Sequence, residues 1–150
     1  MESGLAMPTS AEFWELADVR LKDAEGLLGI GRWACAYYVA GYAVECALKA
    51  LIVRDVERTG SIFDDKKLAG QLIDSFFIHE LEKLFKVAAL ETDFGIARGA
   101  NPALNDNWDF VKGWKETSRY QQKSQTEAES LVKAINHDPD GVMKWIRGRW

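Results

Sequence analysis

The feature that most constrains the fold is one long apolar run, from Trp33 to Val53. A helix that is apolar on nearly every side has to be buried, either among other helices or in lipid. Two charged residues, Glu45 and Lys49, lie near the centre of the run, where a membrane-spanning segment tolerates charge least. The run therefore predicts the central helix of a helical domain rather than a membrane span, extending over about 32–59 and ending before Gly60.

Four polar or aromatic side chains form a stripe along one face of this central helix. They are Tyr38, Tyr42, Glu45 and Lys49, spaced by four, three and four residues. A carboxylate inside an apolar core costs on the order of several kcal/mol unless a cation neutralises it, and Lys49 lies one turn from Glu45. The stripe predicts either a structural ion pair with tyrosines at its edge, which is the commoner arrangement, or the wall of a binding site.

The rest of the chain shows helical rather than strand periodicity, because β-branched residues never alternate over more than a few positions. A first helix is predicted to begin near Thr9-Ser10, with Glu12 completing a capping box, and to end in a glycine-rich turn. Further helices are predicted over about 79–92 and 107–118.

Two stretches between these helices have weaker patterns. Residues 64–75 are predicted to be a short helix or a loop, and residues 95–105, rich in Gly and Asn around Pro102, a loop. Short connections between helices predict antiparallel neighbours. The sequence thus predicts an all-α, up-and-down antiparallel bundle of four main helices plus short extra helices, in a single domain over 1–150 with its core at about 10–137.

The C-terminal part is predicted from its capping residues. A last long helix should begin after Ser124, where Thr126 and Glu129 can form a capping box. Asp138 and Pro139 are then expected to be the N-cap and first residue of a short helix over about 139–148. Residues 144–150 alternate cations with tryptophans and could hold RNA, but a frayed amphipathic terminus that docks on the bundle is the commoner arrangement.

His79 and Glu80 open a segment that can be compared with the zinc-protease motif His-Glu-x-x-His. Lys83 stands at the second ligand position, and no cysteine is near either histidine, so no metal site is predicted. His79 is instead predicted to be an N-terminal helix residue, hydrogen-bonded and inert. The sequence contains no phosphate loop and no dinucleotide fingerprint, and no cofactor is predicted.

Three segments form a set whose order and spacing can be compared with known families. They are residues 36–50 (AYYVAGYAVECALKA), residues 79–84 (HELEKL) and Ser118-Arg119-Tyr120. In that order they resemble the second-helix signature, the third-helix opening and the following Arg-Tyr element of HEPN domains, the nucleotide-binding domains shared by higher eukaryotes and prokaryotes. The agreement in order and spacing extends over about 12–137.

The resemblance implies a helical bundle, usually a homodimer, that often works beside a small nucleotidyltransferase encoded as a separate chain, as in toxin–antitoxin pairs. Catalytic HEPN proteins are metal-independent ribonucleases marked by an arginine, four to six arbitrary residues and a histidine. After Arg119 those positions hold Ser124, Gln125 and Thr126, none of which titrates near neutral pH. The missing histidine favours a protein that is not an enzyme.

The leading hypothesis is a non-catalytic, dimeric HEPN-type module that binds a nucleotide, RNA or a partner protein such as a nucleotidyltransferase. Its candidate groove is formed by Tyr38, Tyr42, Glu45, Lys49, Arg119 and Tyr120. Arg119 is expected to neutralise Glu45, or alternatively to contact a phosphate. The alternatives are a divergent ribonuclease toxin that uses Arg119, Tyr120 or His79, and an orphan helical scaffold without a ligand.

Charge and cysteine content narrow these hypotheses. The formal net charge of −4 makes nonspecific coating of nucleic acid unfavourable, so a nucleic-acid contact requires a local basic patch. The N-terminal residues do not have the pattern of a secretory signal, and Cys35 and Cys46 lie too far apart on one predicted helix to pair. We therefore expect a cytoplasmic protein.

Overall fold

The computed structural model describes residues 7–59, 74 and 77–150. Within these residues it contains seven α-helices, one 3-10 helix and no strand, which confirms the predicted all-α bundle. The helices are α1 (Ser10–Gly29), α2 (Trp33–Thr59), α3 (Leu81–Val87), α4 (Glu91–Ala100), α5 (Pro102–Val111), the 3-10 helix (Glu116–Tyr120), α6 (Gln125–Asn136) and α7 (Val142–Arg147). The short helix or loop predicted at 64–75, apart from Asp74, and the stop at Gly60 lie outside the described residues.

Helix α2 is the core of the bundle, as its apolar surface predicts. It contacts α1, α3, α6, α7 and the 3-10 helix, and every residue from Ala43 to Val53 is buried. By length and composition α2 could cross a membrane, but 78% of its most apolar window is buried within the protein. The other helices therefore provide the apolar surroundings that this helix requires.

The α1–α2 hairpin is closed at both ends. At the start of α1 the Thr9 hydroxyl accepts a hydrogen bond from the Glu12 amide, so Thr9 is the predicted N-cap, but the Glu12 side chain does not complete the predicted capping box. The Ser10 amide and hydroxyl donate to the Glu57 carboxylate of α2 at 3.0 and 2.6 Å. At the other end Gly31 turns the chain in the left-handed region, at a φ of 77°. The two helices are therefore antiparallel neighbours, as predicted.

A close approach of Trp114 to α2 fixes the segment that follows α5. A Cβ atom added at Gly41 would lie 2.2 Å from the indole Nε1 of Trp114, far inside van der Waals contact. Trp114 itself is 1% exposed. Only glycine leaves room for this indole against the α2 backbone, and the contact places the start of the 3-10 helix beside the middle of α2.

The predicted boundaries between 79 and 118 are wrong. Helix α3 spans only Leu81–Val87, because the chain adopts a left-handed conformation at Ala89 with a φ of 58°. Helix α4 (Glu91–Ala100) then occupies most of the predicted loop. Phe94 packs on Phe85 with ring centroids 4.4 Å apart, and this burial holds a helix that contains two glycines.

Helix α5 also begins earlier than predicted, at Pro102, and ends at Val111. The Asn101 side-chain oxygen accepts hydrogen bonds from the amides of Ala103 and Leu104. Pro102 occupies the first turn, where its missing N–H costs nothing. Asn101 and Pro102, which suggested a loop, are therefore the N-cap and the first residue of a helix.

Two C-terminal capping predictions are wrong in detail. The capping box of α6 is formed by Ser124 and Glu127, not by Thr126 and Glu129. Helix α7 is capped by Gly141, whereas Asp138 and Pro139 lie in the turn before it. A Cβ at Gly141 would lie 2.5 Å from the carbonyl oxygen of Ile135. Only glycine fits at this position of the turn.

The C-terminal segment docks on the bundle through stacked aromatic and cationic groups. Ile146 is buried, and the Trp145 ring lies 4.7 Å from that of Phe94. Trp150 stacks on Trp14 with centroids 4.8 Å apart, and the Arg54 guanidinium lies 5.1 Å from the Trp150 ring. The predicted docking is confirmed, and it extends to the last residue of the chain rather than fraying.

Candidate functional site

A buried ion pair lies at the centre of α2. The Lys49 Nζ donates to Glu45 Oε2 at 3.0 Å, and the two residues are 5% and 2% exposed. The predicted pairing of these residues is confirmed. Each charge would be costly alone in this environment, so the pair stabilises the fold only while both partners remain.

His79 connects this buried pair to the surface. Its Nδ1 lies 3.0 Å from Glu45 Oε1, and its Nε2 lies 3.3 Å from Glu116 Oε2 on the 3-10 helix. The side chain is 35% exposed and precedes α3 rather than lying inside it, which corrects the predicted helical position. His79 is therefore held between a buried carboxylate and a surface carboxylate. The ring donates a hydrogen bond to both of them only when both of its nitrogens carry a proton.

Arg119 does not have the predicted role of neutralising Glu45. Its Nη1 lies 3.7 Å from Glu116 Oε1, and its guanidinium lies 4.8 Å from the Tyr120 ring. Residues 116 and 119 share one face of the 3-10 helix because that helix has three residues per turn. Glu116 thus stands between Arg119 and His79, and His79 takes the place beside Glu45 that was predicted for Arg119.

Two tyrosines of the predicted groove, Tyr38 and Tyr120, contact the Arg119 guanidinium, so this part of the predicted set is brought together. Tyr38 and Tyr42 are partly buried and stack with centroids 6.3 Å apart, and Tyr38 also stacks on Trp114 at 6.0 Å. Tyr120 is 76% exposed. Glu45 and Lys49 lie inside the protein, and His79 connects Glu45 to the surface.

Three pKa values near this cluster are shifted. Burial raises the pKa of the Tyr42 phenol and raises that of the Cys46 thiol to about 12. Both groups are therefore protonated at neutral pH, and Cys46 is not an available thiolate nucleophile. The neighbouring Tyr120, and to a smaller extent Glu116, raises the pKa of the Arg119 guanidinium, which is cationic throughout the physiological range.

A groove of about 620 Å³ opens beside His79, between the N-terminal part of α3 and the start of the 3-10 helix. Its lining combines apolar, cationic and acidic side chains, among them Phe77, Ile78, Trp114, Lys83, Lys112, Lys115, His79 and Glu116. Residues 112–123 contain four cations and one carboxylate, in a chain with a net charge of −4. The excess of cations belongs to this segment, whereas the groove lining itself has three lysines and three glutamates.

None of the six residues predicted to form a groove lines this one, although two of them lie close to it. Glu45 forms its support, and Arg119 lies next to it through Glu116. His79 and the three lysines were not predicted as ligand-binding residues. The local excess of lysine and arginine after α5 could have indicated the cations, whereas the role of His79 depends on a contact with Glu45, which is 34 positions away.

The carboxylates of the cluster do not form a metal site with His79. Glu45 and Glu116 lie at opposite nitrogens of its ring. In the part of the chain that the structure describes, no three histidine, cysteine or acidic residues come together as potential ligands.

A family model described as HEPN domain matches residues 10–146 of the chain. The matched range includes all of the described helices except the last residue of α7, and it includes every residue of the groove. No curated protein and no solved structure matches the chain.

Proposed function

The chain belongs to the HEPN domain family, and from this premise we propose that it is a non-catalytic binding module that holds a nucleotide or single-stranded RNA in the groove beside His79. The observation that carries the proposal is a groove whose lining includes three lysines and an imidazole fixed to a buried carboxylate. Such a surface suits a ligand that has both negative charge and an aromatic base.

The size of the groove supports a small or flexible ligand. Ligand sites typically have volumes of about 300–1,000 Å³, and this groove has about 620 Å³. The Phe77 ring at its edge is 77% exposed, so one face is available for stacking on a base.

The three lysines of the groove support an anionic ligand. Lys83 and Lys112 form surface ion pairs with Glu80 and Asp109 at 3.2 and 2.8 Å. Exposed pairs of this kind contribute only about 0–1 kcal/mol, so both lysines can exchange a carboxylate for a phosphate at little cost. Lys115 is exposed and pairs with no carboxylate among the described residues.

The residues that follow Arg119 argue against efficient catalysis. Ser124, Gln125 and Thr126 stand where the histidine of the family's ribonuclease motif would follow Arg119, and none of them acts as a general acid or base near neutral pH. His79 is oriented by Glu45 and Glu116, and its contacts are those of a positioned group.

Binding can be tested by calorimetry with adenosine 5′-monophosphate and by fluorescence anisotropy with a short single-stranded RNA. Lys115→Gln should weaken both interactions and reduce their salt dependence, because one phosphate contact is lost. The matched control is Lys133→Gln, which removes the same charge from an exposed position on α6. Absence of binding at millimolar ligand, or equal losses in both variants, would refute the proposal.

We also propose that the protein forms a homodimer and works with a separately encoded nucleotidyltransferase, as the family resemblance implies. An apolar surface supports association of two copies: Leu27, Ile30 and Val39 line a shallow groove of about 520 Å³, and Ile30 is 71% exposed. Light scattering after size exclusion gives the oligomeric state. Co-purification with the products of neighbouring genes tests the partner, and its failure would remove that part of the proposal.

A ribonuclease is the second candidate, favoured by one observation. Although far apart in sequence, His79 and Arg119 both contact Glu116. The fold thus brings an imidazole and a guanidinium to the two sides of one carboxylate, without the arginine-to-histidine spacing of the family's ribonuclease motif. This candidate predicts growth arrest on expression and RNA ends bearing a cyclic phosphate, both relieved by Arg119→Ala. Intact RNA after incubation with the purified protein would exclude it.

A further inference from the structure

We infer that His79 and Arg119 form an anion site in which the Glu116 carboxylate stands in for a phosphate group, and that a phosphate of the ligand displaces Glu116. The inference rests on the proposed function, since it names the part of the groove that receives the phosphate. It makes Glu116 an internal competitor of the ligand.

The geometry of Glu116 resembles that of a bound anion. Its two oxygens face two different side chains, His79 Nε2 at 3.3 Å and Arg119 Nη1 at 3.7 Å. A phosphate also presents several oxygens that share negative charge, and guanidinium groups bind carboxylate and phosphate in the same manner. The position that Glu116 holds is thus chemically suited to a phosphate.

Displacement of Glu116 should be easy. The side chains of Glu116 and Arg119 are 33% and 45% exposed, and both contacts are longer than the roughly 2.7–2.9 Å of strong charge-assisted hydrogen bonds. Glu116 is the first residue of the 3-10 helix, so its side chain can rotate into solvent without disturbing that helix. Water then replaces what the carboxylate loses.

The anion site should persist after Glu116 leaves. His79 Nδ1 is held by Glu45, whose own position is fixed by burial and by Lys49. The imidazole therefore keeps its orientation from behind while its Nε2 becomes available in front. A phosphate that enters loses no affinity to reorganisation of this ring.

The test compares Glu116→Gln with Glu82→Gln. Each removes one negative charge from the lining of the same groove, but only Glu116 contacts His79 and Arg119. Calorimetry at low ionic strength would measure the affinity of each variant for adenosine 5′-monophosphate, inorganic phosphate and adenosine. A thermal melt of each variant, followed by circular dichroism, confirms folding.

We expect Glu116→Gln to bind the monophosphate and inorganic phosphate about 5- to 30-fold more tightly than the original chain, the effect of removing one like charge at contact distance from the anion. Affinity for adenosine should be unchanged. Glu82→Gln should gain no more than about twofold, because its charge is farther away and screened. Adding Arg119→Gln to Glu116→Gln should cancel the gain.

Each other outcome has a defined meaning. If the original chain binds the monophosphate but Glu116→Gln gains no more than Glu82→Gln, the inference is wrong and the proposed function stands. An equal gain for adenosine would also overturn it, because the effect would not depend on a phosphate. If no variant binds any of the three compounds, the inference and the proposed function fail together.

Discussion

Substitution of Gly41 by alanine tests the contact that joins the groove to the core. The new Cβ would lie 2.2 Å from Nε1 and 2.3 Å from Cδ1 of Trp114. Because carbon contacts have their optimum at about 3.5–4.0 Å, the indole would have to move by more than about 1 Å in a fully packed interior. A shift of that size removes Trp114 from its present packing.

The expected destabilisation follows from two opposing effects. Losing the packing of a buried tryptophan costs about 3–5 kcal/mol. Replacing glycine by alanine inside a helix contributes about 1 kcal/mol in the opposite direction. Gly41→Ala should therefore lower the free energy of unfolding by about 2–4 kcal/mol, and it should weaken ligand binding because Trp114 lines the groove.

Urea denaturation followed by circular dichroism measures this change, and Gly26→Ala is the matched control. Gly26 lies inside α1, and a Cβ atom added there would have no neighbour within 4 Å. Alanine at this position should therefore stabilise the protein by about 0.5–1 kcal/mol. If Gly41→Ala proves as stable as Gly26→Ala, Trp114 does not pack on α2 as described, and the expected clash does not exist.

Three further predictions concern charges and the C-terminus. Lys49→Met should destabilise the protein by about 3–5 kcal/mol, and adding Glu45→Gln should recover part of the loss in urea denaturation; an undiminished loss in the double variant would contradict the buried pair. Hydrogen bonds from Ser10 lower the pKa of Glu57 below 4.5, so their contribution is present above that pH and is lost as the pH falls through the lower folded-state pKa. Ser10→Ala should accordingly reduce the change in urea midpoint across that acidic range, and an unchanged pH profile would argue against the contact. Trp150→Ala should cost about 1–2.5 kcal/mol, the sum expected for one aromatic stack and one cation–π contact, and a thermal melt unaffected by it would show that the C-terminal segment does not hold α1.

The parts of the fold that were predicted correctly depend on contacts close in sequence. The Thr9 cap and the Glu45–Lys49 pair each join residues within about one helical turn. The apolar run of α2 follows a simple helical period. Such patterns are legible in one sequence because the helix itself determines which side chains are neighbours.

The predictions failed where tertiary packing or a single capping residue decided the outcome. Glycine-rich residues 91–100 form a helix because Phe94 is buried on Phe85, and Asn101 starts α5 where a loop was expected. Likewise His79 reaches Glu45 only because α3 packs against α2. The helical periodicity of a sequence does not indicate which side chain from a distant part of the chain contacts a buried carboxylate.

The attachment of His79 to Glu45 also bears on how fast a ligand would exchange. A histidine on a free loop surrenders rotational entropy at each binding event, whereas this ring is confined once, when the chain folds. Because the His79 ring is already ordered, the step from first encounter with a ligand to its binding requires little further ordering of this side chain. Residence time should be governed by how readily the bound anion escapes, and substitutions in the groove should alter dissociation rates more than association rates.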